Sequence, residues 1–177
     1  MIATGLHLAE TVVAVLNEHN PGLVVAKLFA LIAVLGTAVV YGTDVFCAMV
    51  QRPALARIDD RALLAVMGNI HRYGDRRMPV PGVLGLVAAA VSTVFAATAG
   101  RGTQAIAAGV AVGLLVVWLL IYLRVSAPIN RQLTAAVDQP APSTDARTLQ
   151  HNWDRVITIR AILQGLAVTA LCTALLT

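Results

Sequence analysis

An all-α fold, a bundle of four membrane-spanning helices, is what this sequence predicts, and three observations carry it. Hydrophobic residues make up 58% of the chain and charged ones only 12%, well outside the composition of soluble domains. Four apolar runs, about residues 23–50, 78–99, 104–125 and 153–176, are each long enough to cross the roughly 30 Å hydrocarbon core of a bilayer. The basic residues gather in alternate connections between those runs. Arg52, Arg57, Arg61, Arg72, Arg76, Arg77, Arg124, Arg131, Arg147 and Arg155 flank the first and third connections, against Lys27 and Arg101 on the other side. By the positive-inside rule this predicts a multi-pass protein of the cell membrane with both termini outside.

In chain order, residues 1–21 read as an N-terminal amphipathic surface helix, too short and too polar to span, ending at Asn20-Pro21-Gly22. Residues 22–177 then form a single membrane domain. The first span closes on Tyr41, Asp44, Cys47 and Gln51, of which Asp44 and Gln51, seven apart, share a helix face. Between spans one and two, Leu63, Leu64, Val66, Met67 and Ile70 recur at helical spacing behind Asp59 or Asp60 as N-cap. An interfacial helix is expected there, delivering His71 to Arg77 to the mouth of span two. Pro79 and Pro81 suit a helix start, where a missing N–H costs nothing. Gly100-Arg101-Gly102-Thr103 is a tight hairpin, and Gly109 with Gly113 gives span three a small-residue spacing that permits close packing. Span three ends on Trp118, Tyr122 and Arg124, followed by a Pro-rich polar loop. The fourth helix starts near Ser143 or Thr144 and enters the membrane at about Val156. Cys47 and Cys172 fall at opposite ends of the bundle and are not expected to pair.

Every unusual polar residue therefore lies in one layer, toward the arginine-rich side. Within span four, Trp153, Arg160 and Gln164 stand on one stripe. Charge inside an apolar helix is expensive, so Arg160 is expected to face inward and to meet Asp44, each easing the other's desolvation. His71 and His151 are the side chains that titrate near neutrality at this depth. Trp118, Tyr122 and Trp153 serve equally as an interfacial aromatic belt or as the walls of a binding slot. No HExxH, CxxC, GxSxG, Walker or GxGxxG pattern occurs, and bunched arginines between apolar runs are a topology signal, not a nucleic-acid groove.

The four spans, Gln51-Arg52-Pro53 closing the first, Pro128-Ile129-Asn130 after the third and Asn152-Trp153 with Arg160 entering the fourth resemble the DUF1772 family, the anthrone oxygenase-like integral membrane proteins. The resemblance covers most of residues 23–176. It implies an oxygenase that converts an anthrone-like, apolar aromatic substrate to a quinone with molecular oxygen and needs no cofactor. The chemistry then asks for a base, an oxyanion partner and an aromatic slot. His151 or His71 would be the base, with Asp44 as a desolvated alternative. Arg160 with Asn152 or Asn130 would hold the enolate oxygen, and Trp118, Tyr122 and Trp153 would stack on the rings, with Tyr41 and Gln164 completing the substrate layer. Two other readings use the same residues. In one, His71 and His151 ligate haem or a metal ion in a membrane redox protein. In the other, the chain binds a small molecule or lipid without turnover, as a homo-oligomer or as a subunit of a larger membrane complex.

Overall fold

Asn20 opens the first span by capping it: its side chain accepts from the backbone N–H groups of Gly22 (2.9 Å) and Leu23 (3.4 Å), with Pro21 at the first helical position. Asn20-Pro21-Gly22, expected to end the surface helix, is thus a helix start, because the Asn side chain satisfies donors that the first turn leaves open. The computed structural model describes residues 20–139 and 145–177, so the surface helix expected within residues 1–21 lies, but for its last two residues, outside the described part, as do Ser143 and Thr144. Helix α1 runs Pro21–Phe46 and continues through a π-helical turn, Cys47–Gln51, into the short α2, Arg52–Leu55. Helix α3 covers Asp60–Arg77, α4 Pro79–Thr98 and α5 Gly102–Ile121. A second π-helical turn, Tyr122–Ser126, leads into α6, Ala127–Ala136, and α7 spans Ala146–Leu176 behind an Asp145 N-cap.

Among the described residues, four helices are long and apolar enough to cross a membrane: Pro21–Leu55, Pro79–Thr98, Gly102–Ala136 and Ala146–Leu176. They pack as a ring in which α1 and α5 each touch both α4 and α7. The 20 residues of α4 measure about 30 Å, one hydrocarbon thickness, whereas the 35-residue helices overshoot it by about 20 Å. Their surplus, together with α3 and the start of α7, makes a cap at the arginine-rich end.

Both π turns sit two residues before a proline, Pro53 and Pro128. Proline lacks an N–H and its ring crowds the carbonyl four residues back. Here the chain answers by widening one turn, so that Arg52 N–H reaches Cys47 O and Ala127 N–H reaches Tyr122 O, five residues back. This is why Ser126 to Arg131, expected to leave the helix for a loop, stays helical.

The cap is held by α3 against α6. Gly68 permits that approach, since a Cβ there would lie 2.8 Å from the Leu133 carbonyl oxygen. Arg147 then ties the start of α7 to the α2–α3 turn, donating to the Asp60 carboxylate and to the Leu55 and Ile58 carbonyls at 2.8 to 3.0 Å. Those carbonyls, left open where a helix ends, gain a charged donor. Cys47 and Cys172 are both free thiols.

A candidate ligand site at the arginine-rich end

Asp44 and Arg160 meet. Arg160 Nη2 lies 2.9 Å from Asp44 Oδ1, and both side chains are buried. The other carboxylate oxygen accepts from Gln164 Nε2 (2.6 Å) and Trp118 Nε1 (3.3 Å), while Arg160 Nη1 donates to Ser126 Oγ (2.8 Å). Spans one, three and four are thereby joined through one buried charge pair, which apolar surroundings tolerate only when the remaining lone pairs and protons find partners. The Arg160 guanidinium also sits 5.6 to 5.8 Å from the ring centres of Tyr122, Trp153 and Trp118, within reach of each ring's negative face.

Beside this pair opens a cavity of about 380 Å³, within the range of small-molecule sites. Asp44, Cys47 and Gln51 from α1 and its π turn line it, with Met67, His71 and Asp75 from α3, Trp118 and Tyr122 from α5 and its π turn, Asn130 from α6, and Trp153 and Arg160 from α7. Gly82 of α4 closes the roof: a Cβ there would lie 3.4 Å from Trp118 Cη2. The walls are overwhelmingly apolar. Trp118 and Tyr122 stack at 6.1 Å with their planes 15° apart, and His71 leans on Trp153 at 5.7 Å.

Four buried polar atoms of the lining have no hydrogen-bond partner among the described residues: His71 Nε2, Trp153 Nε1, Arg160 Nε and Asn130 Oδ1. Such atoms are rare in folded proteins because each carries its full desolvation cost. They are half of the eight such side-chain atoms among the described residues; the other four, on Thr37, Gln104 and Gln150, lie away from the cavity. His71, 5% exposed, is driven down to about 4 by burial, against the pull of Asp75 and with help from Arg160. It is therefore a neutral imidazole at pH 7, able to accept a proton.

No family model matches this chain, and neither a curated protein nor a solved structure is significantly similar to it.

Of the side chains singled out from sequence, Asp44, Arg160, Gln164, Trp118, Tyr122, Trp153, Asn130 and His71 converge, seven on the cavity lining and Gln164 just behind it. His71, which the interfacial helix was expected to deliver to the mouth of span two, sits inside α3 and is buried. Helical spacing carries α3 through to Arg77, which turns His71 onto the face shared by Leu64 and Met67. His151 and Asn152 are exposed and lie off the cavity, because the stripe that brings Trp153, Arg160 and Gln164 inward turns their neighbours outward. His71 and His151 thus do not meet at this site. Among the described residues no group of three or more His, Cys, Asp or Glu side chains is placed to hold a metal ion. Tyr41 is also off the cavity, packed over Gly165, where a Cβ would lie 3.2 Å from its ring.

Two residues escaped the sequence reading. Asp75 accepts from Tyr122 Oη (3.1 Å) and Asn130 Nδ2 (2.8 Å), fixing both on the cavity wall. Set among Arg72, Arg76 and Arg77, it looked like part of a topology signal. Ser126 gave no signal at all, since only the second π turn brings its hydroxyl to Arg160.

Proposed function

We propose that this protein is a cofactor-independent oxygenase of the membrane, acting on an anthrone-like aromatic ketone at the cavity beside Asp44 and Arg160, with the arginine-rich end on the cytoplasmic face. The observation that carries the reading is the set of four unpartnered buried polar atoms, from His71, Trp153, Arg160 and Asn130, in an otherwise apolar, aromatic-lined cavity. It accords with the resemblance to the anthrone oxygenase-like family.

The ring system lies against Trp118, Tyr122 and Trp153. His71 Nε2 takes a proton from the methylene between the aryl rings, and the ketone oxygen becomes an enolate. An imidazole held near 4 is a weak base, so the step depends on stabilising that oxygen. The Arg160 and Trp153 N–H groups are fixed donors in a site of low dielectric, where such stabilisation is strongest. The electron-rich enolate gives one electron to dioxygen, and the resulting radical and superoxide combine to form a C–O bond. The imidazolium returns its proton to yield a hydroperoxide. Loss of the remaining C–H proton with cleavage of the O–O bond leaves the quinone carbonyl and releases water. One anthrone and one dioxygen thus give one quinone and one water.

The test is turnover of anthrone by protein in vesicles, followed by quinone absorbance and by an oxygen electrode. Consumption should be one to one, above the rate in protein-free vesicles. His71→Gln and Arg160→Gln should each lower kcat by about 100-fold or more. Wild-type protein no faster than empty vesicles, or full turnover in His71→Gln, overturns the proposal.

A further inference from the structure

We infer that the cavity is loaded sideways from the bilayer, and that its ligand is an amphipathic aromatic whose hydrocarbon substituent passes out between the helices into lipid while its oxygenated ring occupies the cavity. This rests on the proposed aromatic-ligand reading and adds the route and the shape of the substrate.

The lining is graded. Its buried part holds Asp44, Arg160, His71, Asn130 and the Trp153 indole, and Gln51, Asp75 and Tyr122 are half-buried between that part and the exposed one. Its exposed part is apolar. Val83 of α4 is 58% exposed, Leu123 of the second π turn 53% and Ile70 of α3 44%, and all three line the same cavity. They are its rim. Thr43 and Pro79 complete the rim, and the one hydroxyl among them is used up, Thr43 Oγ1 donating to the Val39 carbonyl at 2.9 Å. Of the α3 arginines none lines the opening, although Arg76 and Arg77 are exposed on the same helix. A mouth that met water would be expected to show polar or charged side chains.

Depth agrees. Since α4 is one hydrocarbon thickness long, its first residue, Pro79, lies at the hydrocarbon boundary, and Val83 lies about 6 Å further in. Leu123 follows a 20-residue α5 that starts from the opposite end, which brings it to the level of Pro79. The opening therefore sits at the hydrocarbon edge, with Val83 on its acyl side. It exists because α4 ends there: α3 turns into the cap, and among the described residues no transmembrane helix fills that corner below Gly82.

Both tryptophans of the chain line the cavity, so intrinsic fluorescence reads occupancy directly. Three probes share one dihydroxyanthraquinone ring: unsubstituted, with a decyl chain, and with a sulfonate that keeps it in water. In vesicles the first two should quench saturably, with half-saturation on a bilayer mole-fraction scale equal within about threefold, because the tail stays in lipid whether the ring is bound or free. The sulfonated probe should give no saturable quenching. Val83→Phe with Leu123→Phe, both at exposed positions, should weaken the decyl probe about tenfold and the unsubstituted one by less than about threefold. A decyl probe tenfold weaker than the bare ring in wild-type protein means a closed or water-facing pocket and overturns the lateral route alone. Saturable quenching by the sulfonated probe does the same. If neither the bare nor the decyl ring quenches, the aromatic-ligand reading fails, and the route with it.

Discussion

The two halves of the bundle are built from the same four helices but follow opposite packing rules. Away from the arginine-rich end the core is Ala33, Ala88, Ala89, Ala111 and Ala167 with Leu115 and Leu171. Small side chains let backbones close, and on the border with the other half, at Gly36 and Gly85, they nearly touch: a Cβ on Gly36 would lie 2.8 Å from Gly85 N. Where lipid gives helices no hydrophobic reason to associate, such close contact is a principal source of attraction. Toward the other end the core turns to Leu63, Met67, Leu133, Trp153 and Ile157, the two π turns appear, and α4 gives way to α3. Bulk and widened turns hold the helices apart, and the cavity lies in that gap. The alanine half reads as the clamp that keeps the helices together while the arginine-rich half stays open enough to bind.

The sharpest way to break this division is to remove the charge pair. In Arg160→Ala the Asp44 carboxylate keeps only Gln164 and Trp118 as donors. Leaving one member of a buried pair uncompensated costs about 3–5 kcal/mol. Equilibrium unfolding in mixed micelles should show that loss. The double change Asp44→Leu with Arg160→Met should regain most of it, because apolar groups of similar size replace a buried pair at little cost. It should nevertheless abolish probe binding. A double variant as unstable as the single one would make the pair part of the clamp. One that still binds would remove it from the site.

His71 gives a smaller, pH-dependent effect. Its folded value of about 4 lies below the ordinary 6.5, so between those values the unfolded chain binds a proton that the folded chain refuses. Stability is therefore full above about pH 6.5 and falls as pH drops toward 4. The loss reaches about 3 kcal/mol, at roughly 1.4 kcal/mol per pH unit. Unfolding midpoints measured from pH 7.5 to 4.5 should show this slope, and His71→Gln should flatten it. An unchanged slope in the variant would mean that His71 does not set it.

What the sequence disclosed divides along the same line. The four spans and the inward stripe of Trp153, Arg160 and Gln164 depend on periodicity and on the cost of buried charge, both local properties of the chain. So does the meeting of Asp44 with Arg160, since intramembrane charges of opposite sign have few alternatives. The position of His71 depended instead on how far α3 runs, and the burial of Asn130 and Ser126 on a proline widening the preceding turn. A proline in an apolar run reads as a helix end unless the neighbours that re-satisfy the freed carbonyls are known. His151 and Asn152 were chosen for their chemistry beside a tryptophan, and two and one helical steps, 200° and 100°, turned them outward.

Glycine substitution probes the clamp itself, with the smallest expected effects. Sequence spacing pointed to Gly109 and Gly113 as the close-contact positions, yet a Cβ at Gly113 would meet nothing within 4 Å and one at Gly109 only Thr93 Cγ2 at 3.6 Å. The contact falls at Gly36, where a Cβ would meet both Gly85 N and the Pro81 carbonyl oxygen at 2.8 Å. These are backbone atoms, so α1 and α4 must separate to admit a methyl group. Gly36→Ala should cost about 1–3 kcal/mol, as overpacking does elsewhere. Gly113→Ala has room and should gain up to about 1 kcal/mol from the better helix former. Opposite signs from the same chemical change would fix the tight contact on the α1–α4 face. A Gly36→Ala variant as stable as wild type would show that α1 and α4 can part freely there, and the alanine half would then be no clamp.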